Sequence, residues 1–434
     1  MEPGATDRER RMAPAKRGLA AWCLYDWANS AFPTVIGTFI FGAYYTEAIA
    51  ATPEQGAAEW GVALGVSAVL VALLSPVLGA IADRTGRRKP WIGVFTALCV
   101  GATAMLWFAT PEPSSALYAL VLVALASAAF EFTTVFYNAM LADLAPDSHI
   151  GRISGWGWGL GYAGGLVALV LCLIGFVQAE VPWFGVSKEA AGHIRAVAPL
   201  VAVWYAVFAL PLFWFTPDLP SRGVGLARAA REGVAALAET LRHARRYRTI
   251  IRFLIARMLY TDGLGTLFAF GGIYAAGSFG MTLAEVIQFG IALNVTAGLG
   301  AAGFAWMDDR LGAKPVIVIS LVALIGCSTA MLLAQSVLWF WIFGLGLGIF
   351  VGPAQAASRS LMTRLAPAEI RTEMFGLYAF SGKATGFLGP FILAAAITFT
   401  GSQRAGMAVV IVLFAAGLLL LLPVREPRAS TEIR

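Results

Sequence analysis

Charge is scarce in this chain. Asp, Glu, Lys and Arg make up 13% of its 434 residues, against roughly a quarter in an ordinary soluble domain. Histidine is scarcer still, with His149, His193 and His243 alone. There is no His-Glu-x-x-His, no Gly-x-Ser-x-Gly and no Cys/His metal spacing, so metallopeptidase, serine-hydrolase and zinc chemistry lose their usual signatures. The four cysteines, Cys23, Cys99, Cys172 and Cys327, fall in apolar stretches and read as buried free thiols. "SGKAT" at Ser381 to Thr385 fails as a phosphate loop, because position 377 is Leu where a glycine belongs and position 384 is Ala where Ser or Thr should follow the lysine. An enzyme should show catalytic pairs at a membrane surface, and none is found. A sensor or scaffold would bind a ligand without moving it, which a flux assay tests. No cofactor or metal is expected, apart from a coupling proton or sodium ion.

What the chain has in excess is apolar sequence, 59% of its residues. A bilayer core is spanned by about 20 apolar residues. A sliding window finds twelve such runs, near 20–45, 59–82, 90–110, 115–139, 153–178, 196–216, 250–276, 284–306, 315–334, 337–358, 374–399 and 404–423. The basic N-terminus ahead of the first run suggests a signal peptide, but the run is too long and contains Asp26, so it reads as a retained span. Short cytoplasmic loops collect Lys and Arg. With the N-terminus inside, all but five of the 31 basic residues fall in or beside the inner segments. Lys188, Arg195 and Arg404 lie outside, and Arg257 and Lys383 lie within spans. Both termini are therefore expected in the cytoplasm. The formal charge of +6 is explained by topology and needs no nucleic acid.

Hydrophobicity collapses between Pro217 and Thr249, where arginines gather. This divides the chain into a tail (1–19), six spans (20–216), a linker (217–249), six more spans (250–423) and a second tail (424–434). In the linker Leu226, Ala230, Val234, Leu237 and Leu241 recur at helical spacing. An amphipathic helix on the inner leaflet and a merely solvated basic segment both fit.

The two sets of spans resemble each other. "GAIADRTGRRKPW" (Gly79 to Trp91) follows span two and "AWMDDRLGAKP" (Ala305 to Pro315) follows span eight, so that Asp83, Arg84 and Gly86 map onto Asp309, Arg310 and Gly312. Leu144, Ala145 and Pro146 likewise map onto Leu365, Ala366 and Pro367, and Gly155, Gly161 and Gly165 onto Gly376, Gly382 and Gly386. Matches at the same junctions of both halves argue for a duplication. The glycine series itself reads as close helix packing.

Duplicated six-span halves are the architecture of parallel-repeat transporters. The segment G-x-x-x-D-R-x-G-R-R-K from Gly79 to Lys89 resembles the inner-loop signature of the major facilitator superfamily. "YDWANSAF" (Tyr25 to Phe32), "YNAMLADLAPDSHIGRISGWGWGLGYAGG" (Tyr137 to Gly165) and "GPAQAASRSLMTRLAP...MFGLYAFSGKATGFLGP" (Gly352 to Pro390) resemble its vacuole-effluxer-like branch, which includes fungal vacuolar amino-acid exporters and bacterial members. The resemblance implies an all-α membrane protein of twelve transmembrane helices in two six-helix bundles, functional as a monomer in the bacterial inner membrane. It also implies a gating role for Gly79, Asp83, Arg84, Gly86 and Arg88, with Asp309 and Arg310 as the second copy. A topology signal alone is the competing reading of those residues.

A charge at the bilayer centre costs roughly 2.5 to 3.5 kcal/mol on insertion scales. Five such residues stand out: Asp26, Glu131, Arg257, Asp262 and Lys383. In the resembled fold spans one, four, seven and ten line the cavity and eleven flanks it, and all five lie on these. Asp26, Arg257 and Glu131 fall roughly 9 to 12 Å from the inner end at 1.5 Å per residue. Asp26, Asn29, Ser30, Pro33 and Gly37 share one helix face. Tyr260 and Asp262 echo Tyr25 and Asp26, so two repeat-related acids could face each other. Mixed charge suits a zwitterion such as an amino acid, with Arg257 or Lys383 for its carboxylate and an acid for its ammonium. Pairing of Asp26 or Asp262 with Arg257, and proton uptake by a buried acid, stand as alternatives. Trp22, Trp27, Asn138 and Tyr378 could complete a pocket, although helix packing explains each one taken alone. A cation-coupled sugar symporter is the other transporter reading, and the expected partners are a small solute and the lipid bilayer.

Overall fold

The computed structural model describes residues 16–427, so most of both expected tails lies outside it. The main described elements are helical: α1 (Lys16–Asn29), α2 (Pro53–Thr85), α3 (Lys89–Met105), α4 (Ala116–Leu144), α5 (Ile150–Cys172), α6 (Val197–Phe215), α7 (Leu226–Arg242), α8 (Arg248–Phe279), α9 (Leu283–Gly303), α10 (Ala305–Leu311), α11 (Ala313–Leu333), α12 (Val337–Leu365), α13 (Arg371–Lys383), α14 (Leu388–Thr400) and α15 (Gln403–Leu421), joined by turns and by shorter helical segments, the longest connections being 30–52 and 173–196. Side chains of Thr52, Ser336 and Ser402 accept the orphan backbone N–H groups that begin α2, α12 and α15. Thr282 and Glu285 form a reciprocal capping box at α9.

Eleven helices among the described residues are long and apolar enough to cross a bilayer. The expected span at 20–45 is not one of them. Its backbone is helical almost throughout but broken: α1 ends at Asn29, Phe32–Phe39 is wound as a π-helix, Phe41–Tyr44 returns to α and Tyr45–Ile49 is π again. Pro33 sits at the first break. It has no N–H to continue the ladder, and its ring crowds the preceding turn. Span eleven is also divided, between Lys383 and Leu388.

Two other boundaries differ from the hydropathy reading. Span eight bends at Phe304, splitting α9 from α10, and span ten runs on from 358 to Leu365. Hydropathy ended that span at 358, before Arg359, but the helix continues and Arg359 is buried among partners described below.

Buried apolar side chains form two large clusters. One collects residues from Trp22 to Leu212; the other runs from Ile250 to Val424 and takes in Val135 and Ala139 of α4. Faces that soluble proteins would make polar are apolar here. On α2, Val62, Val66, Val69 and Leu73 are exposed along one stripe, as a lipid-facing helix requires. Cys23, Cys99 and Cys172 are buried, Cys327 is half-buried, and all four are unbridged.

The linker contains the helix that its periodicity allows, α7. Ala229, Gly233 and Leu237 are its buried residues, and Gly233 packs against the Ala80 and Ile81 backbone of α2. Leu226, Val234 and Leu241 remain exposed.

Candidate functional site

At the basic end of the molecule two crossings tie the N-terminal helices to the C-terminal ones. In the first, α2 meets α13 backbone to backbone. A Cβ added at Gly79 would strike the Thr372 carbonyl, and one at Gly376 would strike Ser75 and Pro76. This close approach carries the Asp83 carboxylate, 9% exposed, onto the first turn of α13. There it accepts the N–H groups of Thr372 (3.1 Å) and Glu373 (2.9 Å), a placement favoured at a helix N-terminus. Arg88 donates from Nε to Thr372 Oγ1 at 3.0 Å and pairs with Asp143. Asp143 also takes Arg371 at 2.8 Å.

The second crossing repeats the plan. Gly155 of α5 packs on Ala301 and Ala305, and Asp309 accepts the Arg152 N–H at the start of α5 at 3.0 Å, with Arg152 Nε 3.2 Å away. Gly86 and Gly312 turn each loop at φ +89° and +97°, values open to glycine. Asp218 caps α3 by accepting from Arg88 and Lys89, as Glu426 caps α11 by accepting from Ala313 and Lys314. Arg84 and Arg310 form no hydrogen bond or ion pair among the described residues; Arg310 is exposed. Asp308, which sequence reasoning passed over, is buried beneath Arg364 (2.6 Å) and bonded by Ser360.

The five intramembrane charges do not meet as one group. Asp26 pairs with Arg359 Nη1 at 2.9 Å, not with Arg257. Arg359 is 2% exposed. It also donates Nε to Ser154 Oγ (2.9 Å), Nη2 to the Ser154 carbonyl (2.6 Å) and Nη1 to Asn138 Oδ1 (3.3 Å). Its guanidinium lies near the rings of Trp22, Trp158 and Tyr137 at 4.9, 5.7 and 5.8 Å. Arg359, which the run 337–358 left just outside span ten, thus lies within its helix, and the pairing of Arg257 with Asp26 or Asp262 is corrected. Arg257 instead donates to the Tyr378 carbonyl and Ser381 Oγ, at 2.7 and 2.8 Å, and stacks on the Tyr378 ring at 3.5 Å.

Asp262 does not face Asp26. It is 5% exposed and accepts the Gly389 N–H at 3.2 Å, at the start of α14 beyond the break in span eleven. A Cβ at Gly389 would collide with Thr266 Oγ1, so glycine lets α14 approach α8. Glu131 and Lys383 do come together, Oε1 to Nζ at 2.7 Å. Both line a cavity of about 240 Å³ with Pro33, Thr38 and Ser127. A second cavity, about 380 Å³, shares Pro33 and Thr38 and runs along Leu267, Gly271 and Asn294. Both lie toward the end remote from the basic loops.

The aromatic and amide candidates belong elsewhere. Tyr25 is buried in the first core, its hydroxyl shared with Thr96 (2.5 Å) and Tyr205 (2.9 Å). Trp22 stacks on Tyr137 and Trp27 on Trp204, with centroids 4.4 and 5.4 Å apart. Tyr260 bonds Ser358 at 2.7 Å. Asn29 is buried and accepts a long 3.4 Å bond from Ser30. Of the residues proposed for a pocket, Glu131 and Lys383 line the smaller of these two cavities, and Asn138 serves Arg359.

The sequence model described as "Vacuole effluxer Atg22 like" matches residues 61–434. The chain belongs to that family. Among similar proteins, an uncharacterized MFS-type transporter of Bacillus subtilis, YxiO, is 28% identical over 95% of this chain and 96% of its own length. Autophagy-related protein 22 of Candida glabrata is 24% identical over 60% of this chain, which spans about half (52%) of that relative. The fold superposes on FucP, a major facilitator transporter in its outward conformation, with a TM-score of 0.76 at 14% identity, covering 94% of this chain and 99% of that one. The proton:xylose symporter XylE gives 0.72 at 13% identity, covering 95% and 96%. These likenesses establish the major facilitator fold. This Atg22-like protein is thus an integral, multi-pass membrane transporter.

Proposed function

We propose that the chain is a twelve-span alternating-access transporter of amino acids or related small zwitterions. Its two six-helix bundles, 20–216 and 250–423, rock about a site at Glu131 and Lys383. The segmented helix at 16–49 is the twelfth span, and the basic end with both termini faces the cytoplasm of a bacterial inner membrane. Apart from the Glu131–Lys383 pair, the polar ties described between the bundles gather at that end while the cavities lie toward the other, which supports an outward-facing conformation. The family's description as effluxers supports export.

One observation carries the substrate class: an ion pair of 2.7 Å formed across the two bundles by residues that remain 25 and 34% exposed to a cavity. A ligand with its own carboxylate and ammonium replaces each partner's counter-charge, so the cavity charges stay compensated when it binds. A neutral sugar offers no such exchange. The test is a melting screen of amino acids, peptides and sugars on purified protein, followed by proteoliposome flux with and without a pH gradient. Stabilisation by an amino acid that vanishes in Lys383→Met is expected. Stabilisation by sugars alone would mean that a cation-coupled sugar symporter is the right reading.

A further inference from the structure

Where α7 leads into α8, an apolar groove of about 240 Å³ lies against α13. Tyr247, Ile251, Leu254, Met258, Leu377 and Phe380 are among its walls, and almost nothing polar lines it. Five arginines alternate in sequence with its wall residues Leu241, Ala244, Tyr247, Ile251 and Ile255: Arg242, Arg245, Arg246, Arg248 and Arg252, all exposed. The ion pairs among the described residues include none of them. Arg248 and Arg252 are one turn apart on α8, beside the wall residues Ile251 and Ile255. Leu226, Val234 and Leu241 extend the exposed apolar surface along α7.

An uncompensated cationic rim over a dry apolar slot matches an amphiphile with a negative head and a hydrocarbon tail. An acidic soluble peptide would satisfy the arginines and leave the slot empty; a neutral lipid would do the reverse. We propose that this groove is a binding site for an anionic phospholipid of the inner leaflet. One acyl chain lies between α8 and α13, and the phosphate rests on Arg245, Arg248 and Arg252. The assignment rests on the basic end being cytoplasmic, and it requires nothing about the transported solute. Met374, Leu377, Phe380 and Ser381 of α13 also line the groove, so the lipid would brace the helix that Asp83 engages.

The test uses the full chain in nanodiscs of phosphatidylcholine doped with phosphatidylglycerol. Protein-retained lipid is counted by native mass spectrometry after mild detergent extraction. The parent should retain phosphatidylglycerol in preference to phosphatidylcholine. Arg245→Gln with Arg248→Gln should lower that preference at least about fivefold, since each basic residue near an anionic surface contributes on the order of 1 kcal/mol. Ile255→Trp, at an exposed position, fills the groove without altering charge and should lower retention comparably. Melting temperatures of both variants in detergent alone should match the parent. If Ile255→Trp retains phosphatidylglycerol as the parent does, the attraction is a surface charge effect and the groove assignment is wrong. Equal retention of the two lipids by the parent overturns it as well.

Discussion

The two crossings at the basic end are built from repeat-related residues, yet they hold by different means. At α2 and α13, Gly79 and Gly376 let two backbones touch, and Asp83 receives two amides. At α5 and α10, Ala305 stands where Gly79 stands in the first copy, and Asp309 receives one amide. The second crossing recovers its hold deeper in the molecule. Asn138 and Arg359 differ in number by 221, as do Leu144 and Leu365, so the arginine occupies in one half the place of an amide in the other. Their side chains meet at 3.3 Å. The first crossing is thus fastened by backbone contact and by Asp83 on two amides, with Arg88 buried beside them; the second draws on a buried arginine one helix deeper, at Arg359. Duplicated parts have kept one plan while dividing the labour.

Substitutions can break that contrast, and the largest effect is expected at the buried charge. Asp26→Ala leaves Arg359 without its acid and should destabilise by about 3 kcal/mol, read as a drop in melting temperature. Adding Arg359→Leu should restore much of the loss; no recovery would remove the ion pair as the cause. Next comes the shape-dependent crossing. Gly376→Val forces α2 and α13 apart and should cost about 1 to 3 kcal/mol. Distances between spin labels on the two helices should widen at the basic end. Ala305→Gly at the second crossing should leave both readouts nearly unchanged.

A smaller asymmetry is expected between the two aspartates. Asp83→Asn gives up one of two charge-assisted amide contacts, about 1 to 2 kcal/mol, and should slow transport with membrane insertion and abundance intact. Asp309→Asn should slow it less. Equal effects would show that the number of amides bound does not set the strength of the latch. The least effect on stability is expected from Glu131→Gln, because cavity-exposed pairs contribute about 1 kcal/mol or less. Ligand-induced stabilisation should nevertheless be lost in that variant.

Hydropathy and internal repetition made the membrane architecture readable, together with the aspartates of the two loops, because those signals are local and recur. Arg359 escaped for a physical reason. A hydropathy window assigns each residue its own transfer cost, whereas the cost of burying Arg359 is offset by Asp26, 333 residues away. The same limit hid the partner of Asp262, which is the amide of Gly389 across a helix break that no periodicity announces, and not Asp26 or Arg257. Tyr25 and Tyr260 repeat in sequence because both are buried hydroxyls bonding neighbouring helices, and repetition alone did not distinguish packing from a pocket. Glu131 and Lys383 were legible as charges in apolar spans; that they touch was not.

The division of span eleven has a mechanical consequence. Its lower piece, α13, is a rod of 13 residues, roughly 20 Å long at 1.5 Å per residue. One end is gripped by Asp83 and the other carries Lys383 into the cavity, while the upper piece is pinned separately through Asp262 and Gly389. A rod jointed above Lys383 can swing without dragging the rest of the span. If Asp83 is the gate and Lys383 meets the solute, as proposed, release at the Asp83 end would tilt the rod about a pivot next to the lysine and turn the lysine against Glu131.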